Sequence, residues 1–262
     1  MRTPRFSILV PSFNQRAYIP ETIGSILYQT GGFEREVLVI DGGSTDGTVE
    51  WLSGLRDPRV IWTSERDNGH ADAVNKGLQR ARGDIVGWLN SDDTYLPGAF
   101  EKVAAAFSRS ERTQWVVGRA SIMDGSSREI RKPVTAYKNW ALSRLTHDRL
   151  LRQNVISQMG VFWRRSFGAE VGSLDERLKY ALDYDLWLRM SLRSRPCVLE
   201  EDVARFRWHP RSKTTNNLRR VYEEARAVAM RYEQASYAAQ LRHRLHAEQI
   251  LLAYRCLKAL GV

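Results

Sequence analysis

Cysteine is scarce in this chain. Its 262 residues hold two, Cys197 and Cys256, far apart and in no metal-binding spacing. Two isolated thiols fit a reducing compartment. Long apolar runs are missing as well. No stretch approaches the roughly 18 apolar residues that a membrane-crossing helix needs, and the residues behind Met1-Arg2-Thr3-Pro4-Arg5 lack the apolar segment of a signal peptide. The expectation is a cytoplasmic protein, with peripheral contact at the inner face of a membrane left open. Acidic residues are outnumbered, 30 against 40 Lys and Arg, for a formal net charge of +10. That surplus favours an acidic partner: a nucleotide diphosphate, a phospholipid surface or a nucleic acid. No basic helix with interleaved aromatics and no known nucleic-acid module occurs, which argues against nucleic acid. No G-x-G-x-x-G follows the first strand and no Walker sequence is present, so the phosphate cradles those motifs build are absent.

What is present is globular: 43% hydrophobic and 27% charged residues, without a low-complexity block. The length suits one large core or one domain with an appendage. Phe6–Val10 reads as a strand stopped by Pro11, and Ile19–Gln29 as a helix with Pro20 in its first turn. Glu36–Ile40 is a strand apolar on both faces, as parallel strands are. Val60–Thr63 is a third strand, Ala71–Arg82 a helix closed by Gly83, and Ile85–Leu89 a fourth strand. Such alternation predicts a parallel α/β sheet with right-handed crossovers. A helix from Pro97 to Ser108 and a strand at Trp115–Gly118 follow. Ser121–Lys132 reads as a strand pair turning at Asp124-Gly125. Gly160–Trp163 reads as a strand under the sheet edge, and Asp175–Arg193 as helical in its second half, with Leu186, Trp187, Met190 and Leu192 on the buried side. Pro196–Leu199 is extended, and Leu218–Leu260 is helical by propensity. Trp62, Trp88, Trp163 and Trp187 are expected in the core.

Three of these strands end in polar residues: Ser12 and Asn14, then Asp41, then Asp92 and Asp93. In a parallel sheet those ends share one edge, the carboxyl edge where ligands bind. Asp92 and Asp93 carry the most information. Adjacent carboxylates repel, so one must protonate or find a cation, and a hard divalent metal bridging phosphates supplies one. The plain structural alternative is that the pair caps the next helix.

Five pieces, in this order, resemble the inverting nucleotide-sugar glycosyltransferases of family 2, on the GT-A fold: Ser7–Asn14, Val39–Thr48, Asp67–Gly77, Gly83–Asp93 and Asp183–Arg189. The Asp67–Gly77 piece is similar to a bacterial subgroup found with surface-polysaccharide synthesis. The resemblance covers about residues 5 to 215 and implies a Rossmann-like, mostly parallel nucleotide-binding sheet with an acceptor-side subdomain. Residues 1–215 would be the catalytic domain, with a nucleotide-sugar half at about 1–115 and an acceptor half at about 116–215. Residues 216–262 would be a helical C-terminal extension, with its boundary near Asn216-Asn217.

The resemblance also implies roles. Pro11, Ser12, Phe13 and Asn14 would hold the nucleoside, with Phe13 against the base. Asp41 would accept the ring N–H of uracil or thymine, which favours a UDP- or dTDP-sugar. Asn68, His70 and Asp72 would touch the donor, with helix capping as the alternative for His70 and Asp72. Asp92 would bind near the ribose or the metal, Asp93 would ligate Mn²⁺ or Mg²⁺, and His209 would reach the metal or phosphate. Asp183 matches the catalytic base and Asp185 is the second choice, because Leu182 stands where many relatives have an acid. The acceptor would be a hydroxyl of a glycan or lipid-linked glycan. Arg164 and Arg165 stand between a diphosphate contact and a solvated loop, and Tyr137, Trp140 and Trp208 between sugar stacking and packing. The basic C-terminal helices stand between packing on the catalytic domain, homodimer formation and membrane contact. Two other functions remain open at this point: a nucleotidyltransferase, and a non-catalytic module binding an anionic glycan.

Overall fold

The computed structural model describes residues 3–212 and 217–232. The chain begins with β1 (Arg5–Ser12), α1 (Ile19–Leu27), β2 (Glu34–Asp41), α2 (Thr48–Gly54), β3 (Val60–Ser64), α3 (His70–Arg80) and β4 (Ile85–Trp88). β1 and β2 pair in parallel from Arg5↔Glu34 to Ser12↔Asp41, and β4 and β3 pair in parallel on either side. β1 is apolar on both faces and buried almost throughout, as a strand covered by helices on both sides must be.

The sheet order is β3-β2-β1-β4-β8-β6-β9-β5, with β7 paired to β6. The chain moves outward from β1 through β2 to β3, then returns to the other side of β1 with β4. That reversal makes a crevice at the carboxyl ends of β1 and β4, the position where open α/β sheets bind ligands.

The second half supplies β5 (Thr94–Tyr95), α4 (Ala99–Arg109), β6 (Trp115–Met123), β7 (Glu129–Ile130), α5 (Lys132–Leu142) and α6 (His147–Arg152). A 3₁₀ turn at Gln158–Gly160 leads to β8 (Val161–Arg164), α7 (Arg165–Val171), α8 (Leu182–Arg193), β9 (Cys197–Arg207) and α9 (Leu218–Tyr232). The expected turn at Asp124-Gly125 joins β6 to β7, with Met123 opposite Glu129.

Three expectations need correction. Gly160–Trp163 does not lie under the sheet edge: β8 is an interior strand, antiparallel to β4 and β6. Val161, Phe162 and Trp163 are all buried, and an apolar run with two buried faces suits a central position. Gly87 of β4 makes room for it, since a Cβ there would lie 2.9 Å from the Phe162 ring. Leu192 is 59% exposed, because α8 turns Leu186, Trp187 and Met190 inward and that residue outward. The stretch after Lys132, to which the sequence assigned no regular structure, forms α5 and α6.

Trp88, Trp163 and Trp187 are core residues, and Trp62 packs partly buried against the core. α9 buries Val228 and Ala229 in the same cluster as Leu186 and Trp187, so this part of the extension packs on its own catalytic unit. Asn216, Cys256 and the expected helix beyond Tyr232 lie outside the described residues. Among the described residues no helix is long and apolar enough to cross a membrane.

Candidate active site

The carboxyl edge of the sheet collects the first group of candidates. Ser12 and Asp41 are register partners, and the Ser12 carbonyl accepts Gly42 N–H at 2.8 Å. Asp41 is fully buried. Its Oδ2 accepts Gly43 N–H at 3.1 Å, Ser44 N–H at 2.9 Å and Ser64 Oγ–H at 2.7 Å, while Oδ1 accepts Ser44 Oγ–H. The carboxylate is thus held by its own loop and by Ser64 of β3, with three donors on Oδ2 and one on Oδ1. Asn14 adopts φ 53° and locks the loops together: its N–H donates to Ser44 Oγ and its Oδ1 accepts Thr45 N–H. Pro11 and Ser12 are buried, and Phe13 stands 60% exposed at the rim. Ser12 Oγ is buried without a hydrogen-bond partner. An orphaned hydroxyl at a ligand edge is a polar contact waiting for one.

At the start of α3, Asp72 Oδ2 accepts Asn68 N–H at 2.9 Å and pairs with Lys76 at 3.3 Å. Asp72, in the first turn, therefore ties down the backbone just before the helix, while Asn68 is exposed. His70 packs its ring 5.3 Å from Trp88. Asp67, to which the sequence assigned no role, presses its carboxylate on Gly42, where a Cβ would lie 2.6 Å from Oδ2.

The acidic pair is split by its surroundings. Asp93 is fully buried; Oδ1 accepts Arg207 N–H at 2.8 Å and Oδ2 accepts Asn90 Nδ2–H at 3.4 Å. Burial, and then the charge of Asp92, pushes its carboxyl well above the ordinary range. Oδ1 is thus taken by the backbone of β9, while Oδ2 carries only the long contact from Asn90. Asp92 keeps partial access, and its Oδ2 lies 3.0 Å from His209 Nε2. His209 is buried, with Tyr18 4.7 Å away ring to ring.

Arg207, absent from the sequence candidates, ties this region together. It is fully buried, and donates from Nε to the Asp92 carbonyl at 2.7 Å, from Nη1 to the Asp124 carbonyl at 3.2 Å and Ser127 Oγ at 2.9 Å, and from Nη2 to Glu21 Oε2 at 2.6 Å. One cation thus joins α1, the acidic loop and the β6–β7 turn. The available signal was its position two residues before His209, on the same side of an extended strand.

Asp183 and Asp185 open α8 and have different tasks. Asp185 is buried, paired with Arg189 at 2.9 Å, and accepts Tyr232 Oη–H from α9 at 2.8 Å. Asp183 accepts only its neighbour's N–H, from Tyr184 at 2.8 Å, among the described contacts. Burial raises its carboxyl to about 6, against the opposing pull of the Tyr184 N–H and the Lys138 ammonium. Burial also lowers Lys138 to about 8. From α9, Glu224 accepts Ala181 N–H at 2.7 Å, and those of Lys179 and Tyr180, at the approach to α8.

Arg164 and Arg165 serve neither a diphosphate nor a solvated loop. They donate to the carbonyls of Thr113 and Gly83, at the end of β4 opposite the site. Tyr137 and Trp140 are 46% and 55% exposed on α5, with ring centroids 6.2 Å apart. Trp208 instead lies under the Arg131 guanidinium at 3.8 Å.

Residues 7–170 match the family model described as Glycosyl transferase family 2. A PGL/p-HBAD biosynthesis glycosyltransferase of Mycobacterium bovis (strain BCG / Pasteur 1173P2) is 30% identical over 194 residues, covering 72% of this chain and 70% of the relative. A glycosyltransferase of Mycobacterium tuberculosis (strain ATCC 25618 / H37Rv) is 30% identical over 205 residues, covering 76% and 74%. Among solved structures, S. aureus TarS 1–349 in complex with UDP-GlcNAc aligns with TM-score 0.65 and 20% identity, over 90% of this chain and 69% of that one. The mannosyltransferase PcManGT from Pyrobaculum calidifontis, in complex with GDP-Man and Mn²⁺, aligns with TM-score 0.68 and 19% identity, over 95% and 70%. At these identities the two structures speak for the fold.

Proposed function

Because the chain belongs to glycosyl transferase family 2 and is a glycosyltransferase of GT-A fold, we propose that it moves a sugar from a UDP- or dTDP-sugar to a hydroxyl of a glycan or lipid-linked glycan, with inversion at the anomeric carbon. The observation that carries this reading is the approach of Asp92 Oδ2 to His209 Nε2, 3.0 Å apart at the carboxyl end of β4, with Asp183 on a separate helix. One group faces the leaving diphosphate and the other faces the acceptor.

In this reading Phe13 packs on the base, and Asp41 accepts its ring N–H on Oδ1, which holds one donor at present. Ser12 Oγ, buried and unpartnered, meets a polar atom of the nucleotide. Asn68 and His70 lie along the donor. A divalent metal is implied by the chemistry. Among the described residues no three His, Cys, Asp or Glu form a metal cage. Asp92 and His209 would hold Mn²⁺ or Mg²⁺ together with diphosphate oxygens, a donor set that suits ions held by few protein ligands plus phosphates. The imidazole favours Mn²⁺ of the two. Held by these residues, such an ion would supply charge neutralisation on the leaving diphosphate.

Asp183 takes the proton of the acceptor hydroxyl as the new bond forms to the anomeric carbon and the bond to the diphosphate oxygen breaks. Attack comes from the face opposite the leaving group, so the configuration inverts and no covalent enzyme intermediate is needed. The exposed, stacked Tyr137 and Trp140 support a sugar-containing acceptor, since aromatic faces suit the apolar faces of pyranose rings. The likeness to a PGL/p-HBAD biosynthesis enzyme supports a lipid-linked acceptor and an envelope role, which would bring the protein to the membrane's inner face.

Calorimetry with UDP, dTDP and GDP, each with and without Mn²⁺, tests the donor side in the parent and in Asp92→Asn. Mn²⁺-dependent binding of UDP or dTDP, lost in the variant, is expected. Binding that ignores both the metal and the substitution would sink the metal reading, and a preference for GDP would sink the assigned base.

A further inference from the structure

α5 turns a charge toward the protein and two rings toward solvent. Its residues Pro133, Ala136, Tyr137 and Trp140 are all exposed and recur at spacings of three and four, so they form one stripe along the helix. On the opposite face Thr135 and Leu142 are buried, and the half-buried Lys138 donates its ammonium to Ser157 Oγ at 2.9 Å. Of the exposed large hydrophobics among the described residues, Tyr137 and Trp140 alone stack on each other. Tyr137 Oη–H donates to Gln153 Oε1 at 2.7 Å, which ties the stripe to the end of α6. The Arg144 guanidinium lies 4.6 Å from the centre of the Trp140 ring and donates to the Trp140 carbonyl at 3.3 Å. The charge around the rings is largely of one sign. From Lys132 to Arg152 the exposed ionisable residues are Lys132, Arg144, Arg149 and Arg152, against the single acid Asp148.

We propose that this face of α5 and α6 docks on an anionic phospholipid surface, with Tyr137 and Trp140 at headgroup level and the surrounding arginines on lipid phosphates. Tyrosine and tryptophan, apolar in body and polar at the tip, suit that depth, and a basic rim is attracted to acidic headgroups. Among the described residues no helix is long and apolar enough to cross a membrane, so the contact is that of a helix lying in the interface. A second copy of the chain fits this face less well, because a two-fold contact would set its arginines against their own copies. The face is also joined to the chemistry. The carbonyls of Leu150 and Leu151 in α6 accept Tyr184 Oη–H at 2.7 and 3.1 Å, and Tyr184 follows Asp183. The proposal rests on and deepens the reading of a lipid-linked acceptor, whose first sugars lie at headgroup depth, where the aromatic pair meets them.

The full chain, without nucleotide or acceptor, is mixed with phosphatidylcholine vesicles or with vesicles of about one third phosphatidylglycerol, and co-sedimentation is measured. Binding to the second kind only, weakened by salt, is expected. Arg144→Gln with Arg149→Gln, and separately Tyr137→Ser with Trp140→Ser, should each weaken it about tenfold or more. All four side chains are exposed, and a urea midpoint equal to that of the parent verifies that each variant folds. Brominated lipid in the vesicles should quench a share of the tryptophan emission that is missing in Trp140→Phe. No binding to either vesicle, equal binding to both, binding kept in either double variant, or quenching unchanged in Trp140→Phe overturns the proposal. A dimer of the free chain that dissociates in Tyr137→Ser with Trp140→Ser overturns it too, and gives the face to a second copy. The acceptor reading fails separately: with vesicle binding intact, transfer to a soluble glycan as fast as to a lipid-linked one removes that reading and leaves the docking in place.

Discussion

A carboxylate held in a desolvating, partly buried site should cost the fold stability, and Asp183→Asn measures that cost. Burial raises its carboxyl from 3.8 to about 6. The folded state then binds more protons than the unfolded chain between those values. Stability contributed at this site is full below about 4, falls as the pH rises to about 6, and stays low above. Each pH unit between the unfolded and folded values corresponds to about 1.4 kcal/mol, so the difference approaches roughly 3 kcal/mol as an upper bound. The amide cannot ionise, which removes that penalty together with the smaller opposing pulls on the carboxylate. A net gain of about 1–2 kcal/mol at pH 7.5 is expected, shrinking to near zero at pH 4. Urea unfolding of parent and variant at both pH values supplies the numbers, with m compared to verify that the same surface is exposed. A variant less stable than the parent at pH 7.5, or a difference that does not change with pH, would refute the account of Asp183 as a desolvated base. The same variant should lose turnover by about a hundredfold or more, so stability and activity move in opposite directions.

Glu224→Ala removes a carboxylate that accepts three backbone N–H groups at the approach to α8; a loss of about 1–2 kcal/mol is expected from the missing cap and helix-dipole contact, read as a lower urea midpoint, and Glu224→Gln should recover part of it. Arg207→Met leaves the Asp92 carbonyl and the Glu21 carboxylate without their shared cation; Mn²⁺-dependent UDP binding should weaken at least tenfold by calorimetry, and unchanged affinity in a folded variant would mean the acidic loop holds its shape unaided.

The first half of the chain was legible because its signals are local. Alternating apolar runs and turns marked β1 to β4 and the helices between them, and polar residues at three strand ends marked the binding edge. The β6–β7 turn was readable from Asp124-Gly125 for the same reason. The second half depends on pairings far apart in sequence. β8 looks like any short apolar run until Trp163 is seen opposite both Val86 and Trp115, and nothing near it in the chain announces two neighbours. α5 carries a weak apolar stripe, with Thr135 and Leu142 buried, so its helical period is hard to see. The acidic pair was legible as a pair but not in its two environments. Asp92 and Asp93 are interchangeable as residue types, and only the arrival of β9, with the Arg207 backbone N–H and His209, sets which one turns inward. The choice between Asp183 and Asp185 depended likewise on Arg189 and Tyr232, the second of which lies in a helix that the sequence boundary held apart from the catalytic unit.

That last contact changes what the C-terminal helix is for. Three polar residues of α9 hold α8 and the segment before it: Glu224 on the N–H groups of Lys179, Tyr180 and Ala181, Arg231 on Asp175 and Asp185, and Tyr232 on Asp185. All three bear on the segment that presents Asp183. Asn75, inside the donor-side motif, binds both the N–H and the carbonyl of Leu174 from α3, so the same segment is also held from the nucleotide half. A base that must meet an acceptor hydroxyl within hydrogen-bond reach tolerates little play. Two anchors from opposite sides, one from the sheet domain and one from the last described helix, limit that play without using the carboxylate itself. The boundary expected near residue 216 thus separates two parts that pack together, and under the role proposed for Asp183, α9 helps to hold the segment that carries it.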